Sequence, residues 1–341
     1  MKVLVIGGTG NISRGIVAAL QNQNHEVTLF NRGKHPDPPT SDIRVIHGDR
    51  HQYTDFEDKM HSETFDAVID MISFNEEDAA SALRAFRYRI EHFVQCSTVM
   101  TYGPPFSGIN LDEEAPLNGQ SKYGLGKIAA DKLLLEAYRK DGFPVTIFKP
   151  SYTYGPGMDV QRQVGGNNSW IDRLRQNKPI LSAGDGLNYF QFLSSHDAGV
   201  GFQSALGRSK CFGEVYNIPH PKPRTWDQWH HAVAEALDVE AQIIHVPQDI
   251  LIAIAPENFG GLSMNFGHTQ IFSSTKITKD IPEFQPKQNL VQSLKENIAW
   301  MDKHGRVNRS CNDDLEDRII SAIKTLPKLF ENNEKTLVNN N

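Results

Sequence analysis

Tyr123 and Lys127, four positions apart in the run Tyr123-Gly124-Leu125-Gly126-Lys127, are residue types that together can move a proton on and off an oxygen. On a helix that spacing puts both side chains on one face. A free phenol has a pKa of about 10, too high for ready exchange near neutrality. A neighbouring ammonium favours the phenolate, which makes Tyr123 a candidate general acid/base. Far upstream, Gly7-Gly8-Thr9-Gly10-Asn11-Ile12-Ser13 lies between an apolar run, Lys2 to Ile6, and a segment of helical periodicity, Ile12 to Leu20. A pyrophosphate needs close backbone approach and the open N–H groups of a helix start, and residues lacking a Cβ allow that approach. Gly7, Thr9, Gly10, Asn11 and Ile12 are therefore candidate dinucleotide contacts. Ser13 stands where a third glycine is common and is small enough to keep the helix near a sheet. Together the two features imply hydride transfer by a pyridine nucleotide coupled to proton transfer by the phenol.

Further candidates follow from the ends of the next apolar runs. Glu26 to Phe30 is strand-like and leads into Asn31-Arg32, with Lys34 beyond. An NAD site carries an acidic residue roughly 20 positions after the glycine loop, on the ribose 2′-hydroxyl. Asn31 is uncharged, and Arg32 and Lys34 would attract a 2′-phosphate, so NADP(H) is expected over NAD(H). Asp49, after a third strand, is placed to accept a hydrogen bond from an adenine amino group. At the end of a fifth strand, His92 to Cys96, stand Ser97 and Thr98. A hydroxyl at a strand's carboxyl end points into the crevice where such sheets bind ligands, so Thr98 is a candidate third catalytic residue, with Ser97 its competitor. The plainer alternative for Thr98 is a hydroxyl that caps a loop.

The elements that must position these groups read as an alternation. Strands are expected at Lys2 to Ile6, Glu26 to Phe30, Ile43 to His47, Asp66 to Ile72, His92 to Cys96 and Val145 to Lys149, with helices at Ile12 to Leu20, Glu77 to Phe86 and Ser121 to Arg139. That order implies an α/β fold, a Rossmann doubly wound parallel sheet with helices on both faces. After Pro150 the texture changes. Tyr154 to Gly166 reads as loop, and helices are expected at Trp170 to Gln176, Trp226 to Leu237 and Leu290 to His304. The division expected is a dinucleotide-binding domain over residues 1–155, to which later segments return, a substrate-binding lobe mainly over 156–304, and a C-terminal helix with a frayed tail over 305–341. In that last segment Leu315, Ile319, Ile320 and Ile323 share a helical face.

Composition narrows the function classes. The chain has 341 residues and a net charge of −6, which gives no electrostatic reason to expect a polyanion, so no nucleic-acid partner is expected. No stretch approaches the roughly 18–20 apolar residues of a membrane span, and the N-terminus does not read as a signal peptide. Cys96, Cys211 and Cys311 are far apart and odd in number, which fits a reducing compartment and a cytoplasmic location. The 13 histidines form no metal-ligand spacing, so no metal is expected. Trp170, Trp226 and Trp229 read as packing of the second lobe. Ser194-Ser195-His196-Asp197 contains triad residue types, but neighbours in one segment rarely reach triad geometry; Asp197 reads as a helix cap.

In ordered motifs the chain resembles the extended short-chain dehydrogenase/reductase family, the NAD-dependent epimerases and dehydratases. The matching pieces are GGTGNIS at residues 7–13, CSTVMTYG at 96–103, YGLGK at 123–127 and KPSYTYGPG at 149–157. The resemblance implies that Tyr123 and Lys127 are catalytic and that Thr98 completes the triad. It also implies that Lys127 holds the nicotinamide ribose and that the segment from Lys149 and Pro150 to Tyr152 borders nicotinamide and substrate. It further implies a homodimer through a four-helix contact that includes the helix from Ser121. Two departures bear on substrate. Dehydratase members carry Asp-Glu just after the catalytic Thr, where this chain has Val99-Met100, so a 4,6-dehydratase is disfavoured. Sugar-nucleotide enzymes place an arginine in the stretch matching Gly186 to Phe192, where none occurs; Arg162 or Arg173 would have to substitute, or the substrate is a smaller polar, sugar-like molecule. A second resemblance, carried by VTLFNRGK, HGDR and the run from Gly184 to Ala198, is to the branch containing the chloroplast stem-loop-binding proteins. It implies the alternative of an RNA-binding or regulatory protein on a cofactor-binding scaffold. The expected enzyme is an NAD(P)-dependent oxidoreductase or epimerase interconverting a secondary alcohol and a ketone.

Overall fold

The computed structural model describes residues 1–34, 43–165, 168–310 and 315–326. Seven strands form one sheet: β1 (Lys2–Ile6), β2 (Glu26–Asn31), β3 (Arg44–His47), β4 (Ala67–Asp70), β5 (His92–Cys96), β6 (Val145–Pro150) and β7 (Glu214–Ile218). Their order is β7-β6-β5-β4-β1-β2-β3 and every pairing is parallel. Because successive side chains point to opposite faces, each strand feeds two cores. Val3, Val5, Leu29, Ile69 and Val94 enter one, and Leu4, Ile6, Phe30, Val68 and Phe93 the other. Burial on both faces explains why these runs are continuously apolar. The strand order reverses beside β1, and the loop leaving β1 opens at that switch point, where such sheets bind ligands.

Helices include α1 (Asn11–Asn22), α2 (Tyr53–His61), α3 (Glu76–Phe86), α4 (Lys122–Asp141), α5 (Trp170–Arg175), α6 (Ser195–Ala205) and α7 (Trp226–Ala236), with the expected helix at Leu290–Lys303 further on. Ser121 caps α4, its Oγ accepting from the Gly124 N–H at 3.0 Å, and Gly142 ends it at φ +73°. Helix α6 lies against α1 at a contact with no room for side chains. A Cβ on Gly15 would fall 1.8 Å from the Ser195 carbonyl oxygen, and one on Gly199 would fall 2.2 Å from the Gly15 carbonyl. The expected cap of α6, Asp197, is corrected. Ser194 is the N-cap, accepting from the Asp197 N–H at 3.0 Å. Asp197 instead accepts from the Lys287 and Gln288 N–H groups at 3.1 and 3.3 Å, tying a distant segment to the helix start. The Ser194–Asp197 run is thus a helix-start device.

The second lobe has its own aromatic core. Trp170, Trp226 and Trp229 are fully buried. Trp229 stacks on Phe192 at 4.2 Å between ring centroids and its Nε1 donates to the Gln161 carbonyl at 2.8 Å. Small parallel strand pairs, Tyr152–Tyr154 with Phe192–Ser194 and Ile180–Ala183 with Ile243–Val246, frame it. Tyr154, read as the start of a loop, therefore belongs to a strand. Residues 315–326 are helical and bury Ile319 and Ile320, with Leu315 and Ile323 against the same cluster. The rest of the expected C-terminal helix and tail, and Cys311, lie outside the described residues.

Candidate active site

The glycine loop and the ends of β2 and β3 enclose a cleft of about 420 Å³ lined by Gly7, Thr9, Gly10, Asn31, Arg32 and Asp49, among others. The loop turns at Gly7, whose φ is +82°. Its shape is held by the Ser13 Oγ donating to the Gly7 carbonyl at 2.8 Å, so the hydroxyl in the third-glycine position locks the turn. Asn11 and Ile12 are placed differently from the cleft-lining residues. The Asn11 side chain donates to the Thr153 carbonyl at 3.1 Å, tying the loop to the strand Tyr152–Tyr154, and its Oδ1 is buried without a hydrogen-bond partner among the described residues. Ile12 packs against the core below.

At the far end of the cleft the Asn31 Oδ1 accepts from the Gly33 N–H at 2.8 Å. Arg32 and Lys34 are exposed at the rim, and among the described residues Asp49 supplies the one carboxylate that lines the cleft. The His51 N–H bonded to the Asp49 carboxylate, with His51 and Arg32 nearby, holds that carboxyl below the usual range, so it is an acceptor at neutral pH. Arg50, which sequence reasoning missed, is buried beneath. Its guanidinium lies over the Phe56 ring at 4.1 Å and reaches Asp70 at 3.5 Å, Ser81 and the Asp78 carbonyl, which fixes the segment bearing Asp49. These features fit a dinucleotide: a side-chain-free turn at a helix start, a rim of cations and an acceptor for the base.

Around Tyr123, on α4, lie the segments that leave β4 and β5. The Thr98 hydroxyl lies beside the Tyr123 phenol and favours its ionised form. Thr98 Oγ1 also accepts from the Met100 N–H at 3.2 Å, capping the 3₁₀ turn Val99–Thr101, so the capping and site readings of this residue coexist. Lys127 is buried; its Nζ donates to the Cys96 carbonyl at 2.5 Å and lies 4.8 Å from the Phe74 ring centroid. Phe74, also missed, follows β4 and stands beside Tyr123. Desolvation raises the Tyr123 phenol to about 12, although the residue keeps 39% of its surface exposed, and the Thr98 hydroxyl pulls the other way. The Lys127 ammonium lies 5.8 Å from the centre of the phenol ring and is bonded to the backbone.

Ser97 is not free to compete with Thr98. Its Oγ donates to the buried Asp131 carboxylate at 2.5 Å. Lys149, expected beside the cofactor, is turned inward, with its Nζ 4.5 Å from the centre of the Tyr102 ring, and Pro150 is buried in β6. The suggestion that Arg162 or Arg173 could hold a substrate diphosphate is also corrected. Arg162 pairs with Glu316 at 2.8 Å, and Arg173 with Asp317 at 2.8 Å, all but Asp317 buried. In the stretch from Gly186 to Phe192, Phe190 sits in the aromatic core and the Gln191 amide brackets the backbone of Phe272. Among the described residues, no group of three His, Cys, Asp or Glu side chains is arranged to hold a metal ion, and no helix is long and apolar enough to cross a membrane.

Comparisons with known proteins agree with this geometry. Residues 3–218 match the NAD dependent epimerase/dehydratase family. The chain is 24% identical to 2′-dehydrokanamycin reductase of Streptomyces kanamyceticus, over 96% of this chain and 93% of that protein. It is 26% identical to the chloroplast stem-loop binding protein of 41 kDa b of Arabidopsis thaliana, over 94% and 84%. In fold it is similar to the UDP-glucuronic acid 4-epimerase from Bacillus cereus in complex with NAD, with a TM-score of 0.70 at 18% identity over 91% of this chain and 99% of that one. With the family match spanning the glycine loop, Thr98, Tyr123 and Lys127, the chain belongs to the NAD-dependent epimerase/dehydratase family and is an NAD-dependent enzyme.

Proposed function

We propose that the protein interconverts a secondary alcohol and a ketone on a sugar-like substrate, with Tyr123 as general acid/base, Thr98 orienting the reacting oxygen and Lys127 as the ribose-holding cation. A pyridine nucleotide, when bound, supplies or accepts the hydride. The observation that carries the reading is the Tyr123 phenol set beside the Thr98 hydroxyl and the Phe74 ring, the latter lining the dinucleotide cleft. In the reducing direction the neutral phenol gives its proton to the substrate oxygen; in the oxidising direction the phenolate takes it back. Release of the ketone makes the enzyme a dehydrogenase or reductase. Its rotation and reduction on the other face make it an epimerase.

The uncharged Asn31 with Arg32 and Lys34 at the rim supports NADP(H) over NAD(H). Engagement of Arg162 and Arg173 with acidic partners supports a substrate without a nucleotide diphosphate, since an unpaired diphosphate in a crevice is costly. The similarity along nearly the whole chain to a protein named a reductase is consistent with that. The net charge of −6 supports catalysis over RNA binding. We further assign a cytoplasmic location and a homodimer. Exposed Leu125 on α4 supports the dimer, which native mass measurement tests. The direct test is turnover of NADPH with a panel of keto-sugars. Wild type should oxidise NADPH and Tyr123→Phe should not, while binding NADPH normally. Retained turnover in that variant would overturn the assignment.

A further inference from the structure

Helix α4 meets the end of β5 three times. Tyr123, Lys127 and Asp131 follow at four-residue intervals. They face consecutive residues: Tyr123 stands beside the Thr98 hydroxyl, Lys127 donates to the Cys96 carbonyl at 2.5 Å and Asp131 accepts from the Ser97 hydroxyl at 2.5 Å. The first two contacts belong to the proposed chemistry; the third does not. Asp131 is 3% exposed and its Oδ1 has no hydrogen-bond partner among the described residues. Burial pushes its carboxyl up to about 6, against the pull of Lys149, Ser97 and Lys127. Lys149, itself buried on β6, has Asp131 and Glu113 as its acidic neighbours. An incompletely satisfied buried carboxylate costs stability, and a well-packed apolar residue would serve the fold better. Its one short contact is to the residue between Cys96 and Thr98.

We propose that Asp131 is a positioning residue: by holding the Ser97 hydroxyl it fixes the strand end that presents Thr98 to Tyr123 and the Cys96 carbonyl to Lys127. This rests on the assignment of Tyr123 and Lys127 above. The Ser97 N–H is also bonded to the Phe148 carbonyl on β6 at 2.7 Å, but the Ser97–Asp131 bond ties this segment's side chains to α4 without using Tyr123, Lys127 or Thr98. The hydrogen bond joins a charged acceptor to a hydroxyl, a class of contact strong enough to set local geometry.

The test uses full-length protein labelled with 3-fluorotyrosine, with the Tyr123 ¹⁹F resonance assigned by its loss in Tyr123→Phe. NADPH affinity is followed in parallel by nucleotide fluorescence. Asp131→Ala and Ser97→Ala should each shift the Tyr123 resonance and weaken NADPH binding by about tenfold, as expected for one lost charge-assisted hydrogen bond. The double variant should be no worse than either single one. Asp131→Asn, which still offers Ser97 an acceptor, should restore both signals toward wild type. If Asp131→Ala and Ser97→Ala lower only the melting temperature, with the resonance and affinity unmoved, Asp131 is structural and the proposal fails. If Asp131→Ala does not fold, Ser97→Ala and Asp131→Asn decide the matter by the same signals. Wild type that binds no pyridine nucleotide would refute the functional reading, yet the ¹⁹F arm would still decide the role of Asp131.

Discussion

Removing the Glu316 carboxylate should cost the protein a large part of its stability. One oxygen of Glu316 accepts from Arg162 at 2.8 Å and from the Leu181 N–H at 3.0 Å, and lies 3.8 Å from Arg173. The side chains of Arg162, Arg173 and Glu316 are 7%, 1% and 6% exposed. Glu316→Ala leaves two buried guanidinium groups short of their anion and a backbone N–H without its acceptor. Breaking one partner of a buried ion pair costs about 3–5 kcal/mol. The orphaned amide costs about 1–3 kcal/mol when counted alone, and because the groups are coupled the two figures do not add. About 4 kcal/mol is expected, against a total of about 5–15 kcal/mol for a typical domain. Asp317 retains its contact with Arg173, which limits the loss. Urea unfolding followed by circular dichroism measures it, with Glu316→Gln as the variant that keeps an acceptor for Leu181. The expected order is wild type, then Gln, then Ala. NADPH affinity should not change, because Glu316 does not line the dinucleotide cleft. An Ala variant within about 1 kcal/mol of wild type would refute the reasoning, since uncompensated buried cations cannot be that cheap.

Other outcomes follow from single contacts. His92 is buried with Nδ1 accepting from the Gly207 N–H at 3.2 Å and Nε2 paired to the Thr146 hydroxyl at 2.8 Å, and burial lowers its pKa to about 3. The unfolded chain takes up this proton below about pH 6.5 and the folded one does not, so stability present above pH 6.5 falls by about 1.4 kcal/mol per unit as the pH drops toward 3. Urea midpoints at pH 7 and 5 should differ by about 2 kcal/mol from this group, and His92→Gln should flatten the slope. Gly199→Ala should destabilise by about 3 kcal/mol or more through its clash with the Gly15 backbone, and an unchanged urea midpoint would disprove that contact. Arg32→Ala should weaken NADPH about tenfold while sparing NADH, measured by fluorescence titration; equal losses for both would remove Arg32 from 2′-phosphate recognition.

The first half of the chain was legible because its elements announce themselves locally. The apolar runs of β1, β2 and β5, the glycine turn and the Ser121 cap are each written in a few adjacent residues, and the parallel sheet follows from their alternation. Helix α2 was missed because its buried face is only Phe56 and Met60, an i,i+4 pair in an otherwise polar segment. The small strands of the second lobe were missed for a different reason. Ile180–Ala183 pairs with Ile243–Val246 across more than 60 residues, and runs of two to four residues carry no readable period. At the site, the residue types of Tyr123, Lys127 and Thr98 pointed to one place. What each side chain does there was not legible. Ser97 looked like a rival to Thr98 until Asp131 was seen to hold it, Lys149 looked like a cofactor contact until it turned inward, and Arg162 and Arg173 looked available until Glu316 and Asp317 met them. Such pairings join residues 34 to more than 150 positions apart, and no local spacing encodes them.

The central claim, that the Tyr123 phenol works on a substrate beside a pyridine nucleotide held by the glycine turn, is tested most directly by a crystal structure of the protein soaked with NADP⁺. The account predicts the pyrophosphate on the turn from Gly7 to Gly10, the nicotinamide facing Tyr123 and Thr98, and the Lys127 ammonium shared between the Cys96 carbonyl and the ribose. A nucleotide bound elsewhere, or a nicotinamide with Tyr123 turned away from it, would contradict the account.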